Sequence, residues 1–248
     1  MGRFFLRPED IAGNKARITG GEARHICEVL RLSLGDEIQM FDGQGTEYSG
    51  IISRIDDRGK NLTVEITSSC KAPVLENPSI TLAQAIPKKN KMDYIVEKAT
   101  ELGVSRIIPL ISERTIVRPD PRAAVKMTER WRKISVEASK QCSRVCVPEI
   151  GEILMFKDLV SGAAEYDLKV LACLSGKTVP LRSVIPHPFP KKCISLIGPE
   201  GDFSENEALF ARENGFLLVN FGKTVLKSDT AGLFAVSVMG YEAGNFSM

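Results

Sequence analysis

Two short stretches near the carboxyl end carry residue types from which a ligand site can be built. Gly198-Pro199-Glu200-Gly201 follows an apolar run, Cys193 to Ile197. Gly222-Lys223 follows a second run, Phe216 to Phe221, and leads into Lys227-Ser228-Asp229-Thr230-Ala231. Short continuous apolar runs bounded by turn residues read as buried strands. In α/β proteins ligands bind beyond the carboxyl ends of such strands. Gly198 and Gly201 remove side chains where a flat ligand could approach the backbone. The helix expected after the second loop offers free N–H groups and the positive end of its dipole. Ser228 or Asp229 is as readily the N-cap of that helix as a catalytic residue. Ser204-Glu205-Asn206-Glu207 fits a capping box, which places the first loop between a strand end and a helix start. Neither loop reads G-x-G-x-x-G or matches a Walker pattern, so neither a Rossmann dinucleotide site nor an NTPase is supported. The pairing of the two loops is more specific than either alone.

The elements that must position these loops alternate strand and helix. Ile80–Ile86 reads as a strand, and Lys91–Leu102 has Met92, Ile95, Val96 and Ala99 at helical spacing before Gly103. Arg106–Ile111 is a further strand, Pro121 opens a long helix to about Cys142, and Lys169–Leu174 is another apolar strand. Such alternation predicts a mostly parallel sheet covered on both faces. Before this region the pattern changes. Apart from a short helical piece, Gly21 to Leu30, residues 1–70 read as short strands: Glu37–Phe41, Glu47–Ile55 and Asn61–Thr67. Asp42-Gly43-Gln44-Gly45 and Asp56-Asp57-Arg58-Gly59-Lys60 supply the turns. Several short strands in so small a space predict a small closed barrel with a binding role. Lys71 to Pro78, with two prolines, reads as the boundary, giving domains 1–72 and 73–248.

The net charge of +2 conceals an uneven distribution. Residues 1–70 hold nine Lys/Arg against eleven Asp/Glu, whereas residues 85–145 hold fourteen against seven. A basic middle segment in a near-neutral chain points to a local anionic partner such as RNA. Arg24 and Arg31, flanking His25 on the short helical piece, together with Arg3 and Arg7, form a candidate phosphate-contacting edge. The six cysteines show no C-x-x-C spacing and read as reduced core thiols of a cytoplasmic protein, with no metal site implied. Arg3, Arg7, Glu9 and Asp10 interrupt any signal-peptide pattern, and no apolar run approaches membrane-spanning length.

The two loops resemble those of the SPOUT methyltransferases, whose C-terminal α/β domain is trefoil-knotted and holds S-adenosylmethionine. Further stretches narrow the resemblance to the RsmE family. These are Gln84-Ala85-Ile86-Pro87-Lys88, Met92-Asp93, Glu97-Lys98-Ala99-Thr100-Glu101-Leu102-Gly103, Ser112-Glu113-Arg114-Thr115, and Arg130-Trp131 with Glu137-Ala138. His25, Val29-Leu30-Arg31, Gly35-Asp36 and Phe41-Asp42-Gly43 resemble that family's PUA-like barrel. The resemblance spans essentially the whole chain. It implies an α/β SPOUT domain with a C-terminal knot behind a PUA-like β-barrel. It also implies a homodimer that methylates N3 of one uridine in the decoding region of 16S rRNA in the small ribosomal subunit.

Carried onto this chain, the resemblance implies a cofactor site of Leu174, Leu196, Gly198, Glu200, Gly201, Gly222, Leu226, Ser228 and Ala231. Arg114, Arg118 and Arg144 join the arginines expected to contact RNA. Lys227 and Asp229 become the catalytic candidates. Lys227 would stabilise charge on the base, with Arg114 and Arg144 as alternatives, and Asp229 would act as base or hold a ribose or a backbone N–H. The chain departs from the family at both places. Lys227-Ser228-Asp229-Thr230-Ala231 stands where the family has Arg, then Thr or Val, Glu-Thr-Ala. Lys140-Gln141-Cys142-Ser143-Arg144 stands where it has Glu-Gln-(Ser/Cys)-Gly-Arg. A lysine ammonium lacks the planar fork of arginine.

Overall fold

The computed structural model describes residues 2–56, 59–71, 78–174 and 176–244. The chain divides into two compact units, one of residues 1–74 with Ser139–Val147, the other of residues 75–138 with 148–248. The expected boundary at 72/73 lies outside the described residues. The segment Ser139–Val147 belongs to the first unit although it follows the boundary by more than sixty residues.

The first unit is a six-stranded sheet in the order β1-β4-β5-β6-β3-β2. Its strands are β1 (Arg3–Phe5), β2 (Ile11–Ala12), β3 (Lys15–Thr19), β4 (Glu37–Phe41), β5 (Thr46–Asp56) and β6 (Asn61–Lys71). A helical turn, α1 (Gly20–Arg24), continues as a wider turn over His25–Val29. Phe4, Ala16, Ile18, Ile38, Met40, Ile52, Leu62 and Val64, from five of the strands, share one core with Ala23 and Ile26. A sheet whose strands all point into one cluster must curl around it. Register shifts at Ser49/Gly50 and Ile52/Arg54 in the β5–β6 ladder supply local bends. Among the described residues no ladder joins β1 to β2. Asp42 makes the β4–β5 turn by accepting from the N–H groups of Gln44 (2.7 Å) and Thr46 (3.0 Å). The segment Ser139–Val147 is held to this turn, Val147 N–H donating to Gly43 O at 3.0 Å.

The second unit is an eight-stranded sheet in the order β10-β8-β7-β13-β11-β14-β12, with β9 also on β8, and every ladder is parallel. The strands are β7 (Ser79–Ala85), β8 (Arg106–Ile111), β9 (Glu149–Ile150), β10 (Leu154–Met155), β11 (Leu168–Ala172), β12 (Val179–Pro180), β13 (Lys192–Ile197) and β14 (Leu217–Asn220). The helices are α2 (Lys91–Glu101), α3 (Pro121–Gln141), α4 (Phe156–Ser161), α5 (Glu205–Glu213) and α6 (Ser228–Glu242). Successive strand residues feed opposite layers. Leu82, Ile107 and Ile197 pack with α2, α6 and Trp131 of α3, whereas Ala83, Ile108 and Leu196 pack with α4, Ala211 of α5, Phe203 and Phe216. That is why these strands carry no polar face. Gly103, at φ +90, ends α2 where a side chain would be strained.

Only Cys173 and Cys193 of the six cysteines are buried, and all six are free thiols. The expected core placement holds for those two alone. No helix of the described residues is long and apolar enough to cross a membrane.

In the first unit, a Cβ at Gly50 would lie 2.7 Å from both Glu65 O and Val64 Cγ1. Gly50→Val should therefore lower stability by about 1–3 kcal/mol, read by chemical denaturation against wild type.

Candidate functional site

The carboxyl ends of three adjacent strands, β13, β11 and β14, open into one cleft of about 530 Å³ in the second unit. Beyond β13 lie Gly198, Pro199, Glu200 and Asp202. Beyond β11 lie Cys173 and Leu174, and beyond β14 the run Phe221–Ser228 with Ala231 of α6. The parallel ladders explain the convergence, because all three strands end on the same edge of the sheet.

Each loop is set by identifiable bonds. Asp202 N–H donates to Pro199 O at 3.0 Å, closing a turn that leaves Asp202 at φ +62. Its Oδ2 accepts from Leu174 N–H at 2.7 Å, tying the β13 loop to the β11 end. Glu200 Oε1 accepts from Lys88 N–H at 3.1 Å. Behind this loop Ser204 and Glu207 form the capping box read from the sequence. Glu207 Oε1 also accepts from Glu113 N–H (2.7 Å), and Ser204 Oγ donates to Glu113 Oε2 (2.6 Å). In the β14 loop Gly222 adopts φ +106, with its N–H donating to Asn220 Oδ1 at 3.2 Å.

The two loops are joined by one serine. Ser228 Oγ donates to Gly198 O at 2.5 Å and accepts from Gln84 Nε2 at 2.9 Å. Gln84 is fully buried in β7 and lies against Gly232 of α6, where any Cβ would strike its Oε1. Ser228 is therefore a buried clip between three elements. The N-cap of α6 is Lys227, whose side chain makes no cap bond, and not Ser228 or Asp229.

Leu174, Gly198, Glu200, Gly222, Leu226, Lys227, Ser228 and Ala231 all line the cleft. Leu196 and Gly201 do not. Leu196 points into the core beside Phe203 because strand alternation turns it from the loop its neighbours reach. Gly201 serves through its carbonyl, which accepts from Arg114 Nη1 at 2.7 Å. A Cβ there would meet only ordinary contacts within the protein. Asp229 lies outside the lining and pairs with Lys91 Nζ at 3.5 Å. Lys91, Cys173, Asp202, Asn220, Thr224 and Val225 line the cleft without having been singled out. Their signal was position, at the ends of strands or helices, not residue type. Burial, then the charge of Asp202, pushes the Cys173 thiol up to about 11, so it stays protonated and is no nucleophile at neutral pH.

The arginines divide. The Arg3 side chain is only 10% exposed; it pairs with Glu47, lies 4.7 Å from the Phe41 ring and donates to Arg144 O. Arg144 is half-buried, and desolvation holds its guanidinium below the usual arginine value. Both are corrected from surface contacts to parts of the first unit's fabric. Arg118 donates to Ser112 O and Glu113 O, both at 3.0 Å. Arg114 and Arg118 thus brace backbone carbonyls while their side chains remain partly open. Arg7, paired with Asp10 at 2.7 Å, and Arg24 and Arg31 are exposed on the first unit.

Two outcomes follow. Ser228→Ala would take the serine donor from Gly198 O and one of the two acceptors from Gln84 Nε2, lowering stability by about 1–3 kcal/mol, measurable by urea denaturation. Gly222→Ala should be destabilised by roughly 1–2 kcal/mol because of its positive φ, whereas Gly201→Ala should be nearly neutral.

Comparison with known proteins fits this geometry. Residues 75–240 match the family model of an RNA methyltransferase domain, and residues 18–65 that of an RNA methyltransferase PUA domain. The ribosomal RNA small subunit methyltransferase E of Bacillus subtilis is 31% identical, over 91% of this chain and 89% of its own. That of Aquifex aeolicus is 32% identical, over 93% and 96%. Among solved structures, a Legionella pneumophila methyltransferase with bound S-adenosylmethionine is 30% identical, covers 96% of both chains and superposes at a TM-score of 0.85. A ribosomal RNA small subunit methyltransferase E of Neisseria gonorrhoeae, also bound to S-adenosylmethionine, is 31% identical over 97% of both, at 0.82. The chain belongs to the ribosomal RNA small subunit methyltransferase E family of RNA methyltransferases.

Proposed function

We propose that this protein transfers a methyl group from S-adenosylmethionine to N3 of one uridine in the decoding region of 16S rRNA. The observation that carries this reading is the cleft itself, built at three adjacent strand ends from glycine-bearing loops. Its residues suit that cofactor. Leu174 and Val225 are 65% and 68% exposed at its edge and offer apolar surface to a ligand, and Gly222 leaves open space where a side chain would stand. Backbone groups of Gly198–Asp202 and Phe221–Leu226 that are not bonded within the protein would hold the cofactor's polar parts. When bound, the cofactor supplies an electrophilic methyl on a sulfonium.

The chain's own groups handle the base. Uridine N3 is a poor nucleophile until its proton leaves, and the charge then spreads over the flanking carbonyl oxygens. The cleft offers three cations against that charge, Lys91, Lys223 and Lys227. Holding base and methyl in line contributes by orientation, which suits loops fixed by the Ser228 and Asp202 bonds. Arg7, Arg24 and Arg31 on the first unit, with the basic stretch 85–145, support the small ribosomal subunit as the anionic partner.

The protein is further read as a cytoplasmic homodimer with a knotted C-terminal region. Support for the dimer lies in α6, which between Ala231 and Tyr241 is apolar but for Ser237 yet leaves Phe234 38% and Tyr241 74% exposed. A helix of that composition is normally covered.

Nucleoside analysis of small-subunit rRNA treated with the protein and labelled cofactor should yield N3-methyluridine; label in another nucleoside would overturn the assignment. Affinity for rRNA should fall steeply between low and moderate salt, by counterion release. A salt-independent affinity would remove the electrostatic part of the reading.

A further inference from the structure

Lys91, the first residue of α2, lines the cleft, and its Nζ stands 3.5 Å from Asp229 Oδ1 in the first turn of α6. The carboxylate is withdrawn from the cleft, and its buried Oδ1 accepts no hydrogen bond among the described residues. A buried anionic oxygen needs a cation brought to it, and Lys91 answers that need. The separation is long for a hydrogen bond, so the ammonium keeps donors for an acceptor on its cleft side. Lys91 is 34% exposed and Asp229 21%, which places the lysine outward and the acid behind it.

The other charged groups of the cleft are arranged differently. Glu200 and Asp202 accept from the N–H groups of Lys88 and Leu174. Lys223 and Lys227 are exposed and pair with no carboxylate among the described residues. An exposed, unanchored lysine loses rotamer entropy when it is fixed on a ligand. Lys91 is already oriented by Asp229.

We propose that Lys91, held in place by Asp229, is the catalytic cation that stabilises the target uracil after N3 has lost its proton. This rests on the uridine-N3 reading above. N3 gives its proton to solvent, and the resulting anion spreads its charge onto the carbonyl oxygens, where the ammonium donates a hydrogen bond. The N3 lone pair then forms the bond to the methyl carbon, and the electron pair of the breaking C–S bond remains on sulfur. Anion and sulfonium become two neutral products. Asp229 touches neither reactant and is a positioning residue, in place of the general base the resemblance allowed.

The test uses the full-length protein and small-subunit rRNA bearing the uridine mapped above. Lys91→Met should lower turnover about 100-fold, as for loss of one preorganised donor, while cofactor affinity by calorimetry stays within about twofold. Lys91→Arg should restore part of the rate. Asp229→Asn should lower the rate less than Lys91→Met does. A second readout is independent of turnover. An rRNA fragment with 5-fluorouridine at the target, bound with S-adenosylhomocysteine, reports N3 ionisation through its fluorine resonance as pH is raised. The wild-type protein should shift that ionisation to lower pH than Lys91→Met does. Equal ionisation in the two proteins, or a loss of cofactor affinity as large as the loss of rate, overturns the role of Lys91. Failure of the wild-type protein to make N3-methyluridine overturns the underlying reading instead.

Discussion

The cleft depends on one buried hydroxyl. Ser228 donates to the Gly198 carbonyl and accepts from Gln84, and so joins the β13 loop, the start of α6 and the central strand β7. These three stretches are far apart in the chain; β13 and β7 are ladder-paired as far as Ile197 and Gln84, and the serine adds α6 to them. This buried network is held by its donors: Gln84 Nε2 bonds both Ser228 Oγ and Ala85 O, while Gln84 Oε1 accepts from no group among the described residues. The Gly198 carbonyl, released at a strand end, finds its partner in the serine. Gly232 completes the arrangement, since a side chain there would displace Gln84. The width of the cleft is thus set by hydrogen-bond lengths between rigid elements, not by loop stiffness.

A second set of bonds fixes the outer side of the same loop. Arg114 holds the Gly201 carbonyl, while Glu207 caps α5 and also takes the N–H of Glu113. Asp202 stands in the left-handed region and uses its carboxylate to hold the β11 end. Non-glycine residues in that conformation persist where the surroundings fix them. Backbone strain here sits at the mouth of the cleft.

Charge is distributed along the same lines. Arg3, Arg114, Arg118 and Arg144 are engaged wholly or partly in holding the fold. Exposed cations stand on the first unit, among them Arg7, Arg24 and Arg31, in the cleft, with Lys223 and Lys227, and in the basic stretch, with Lys88, Lys89, Arg122, Lys126 and Lys133. Within residues 85–145, Lys98, Arg130 and Arg132 pair with carboxylates, whereas Lys88, Lys89, Arg122, Lys126 and Lys133 are exposed to an anionic partner. Counting charges along a chain cannot separate a guanidinium bound to a carbonyl from one facing solvent.

Local features were legible in the residues alone. Arg106–Ile111 and Glu37–Phe41 are the strands expected, and α2, α3 and α5 begin where periodicity and the Ser204 capping box place them. Strand ends broken by glycine marked both cleft loops, because a buried apolar run must stop where the backbone meets a ligand or solvent. The strands β1 and β2, of three and two residues, are too short to show a period. The face taken by Leu196, the withdrawal of Asp229 behind Lys91, and the return of Ser139–Val147 to the first unit were decided by packing. Each depends on groups distant in sequence, whose meeting is a property of the folded sheet. The chain by itself marked the two glycine-bearing loops that line the cleft; only the tertiary structure determined which of their residues clip them together and which face the open space.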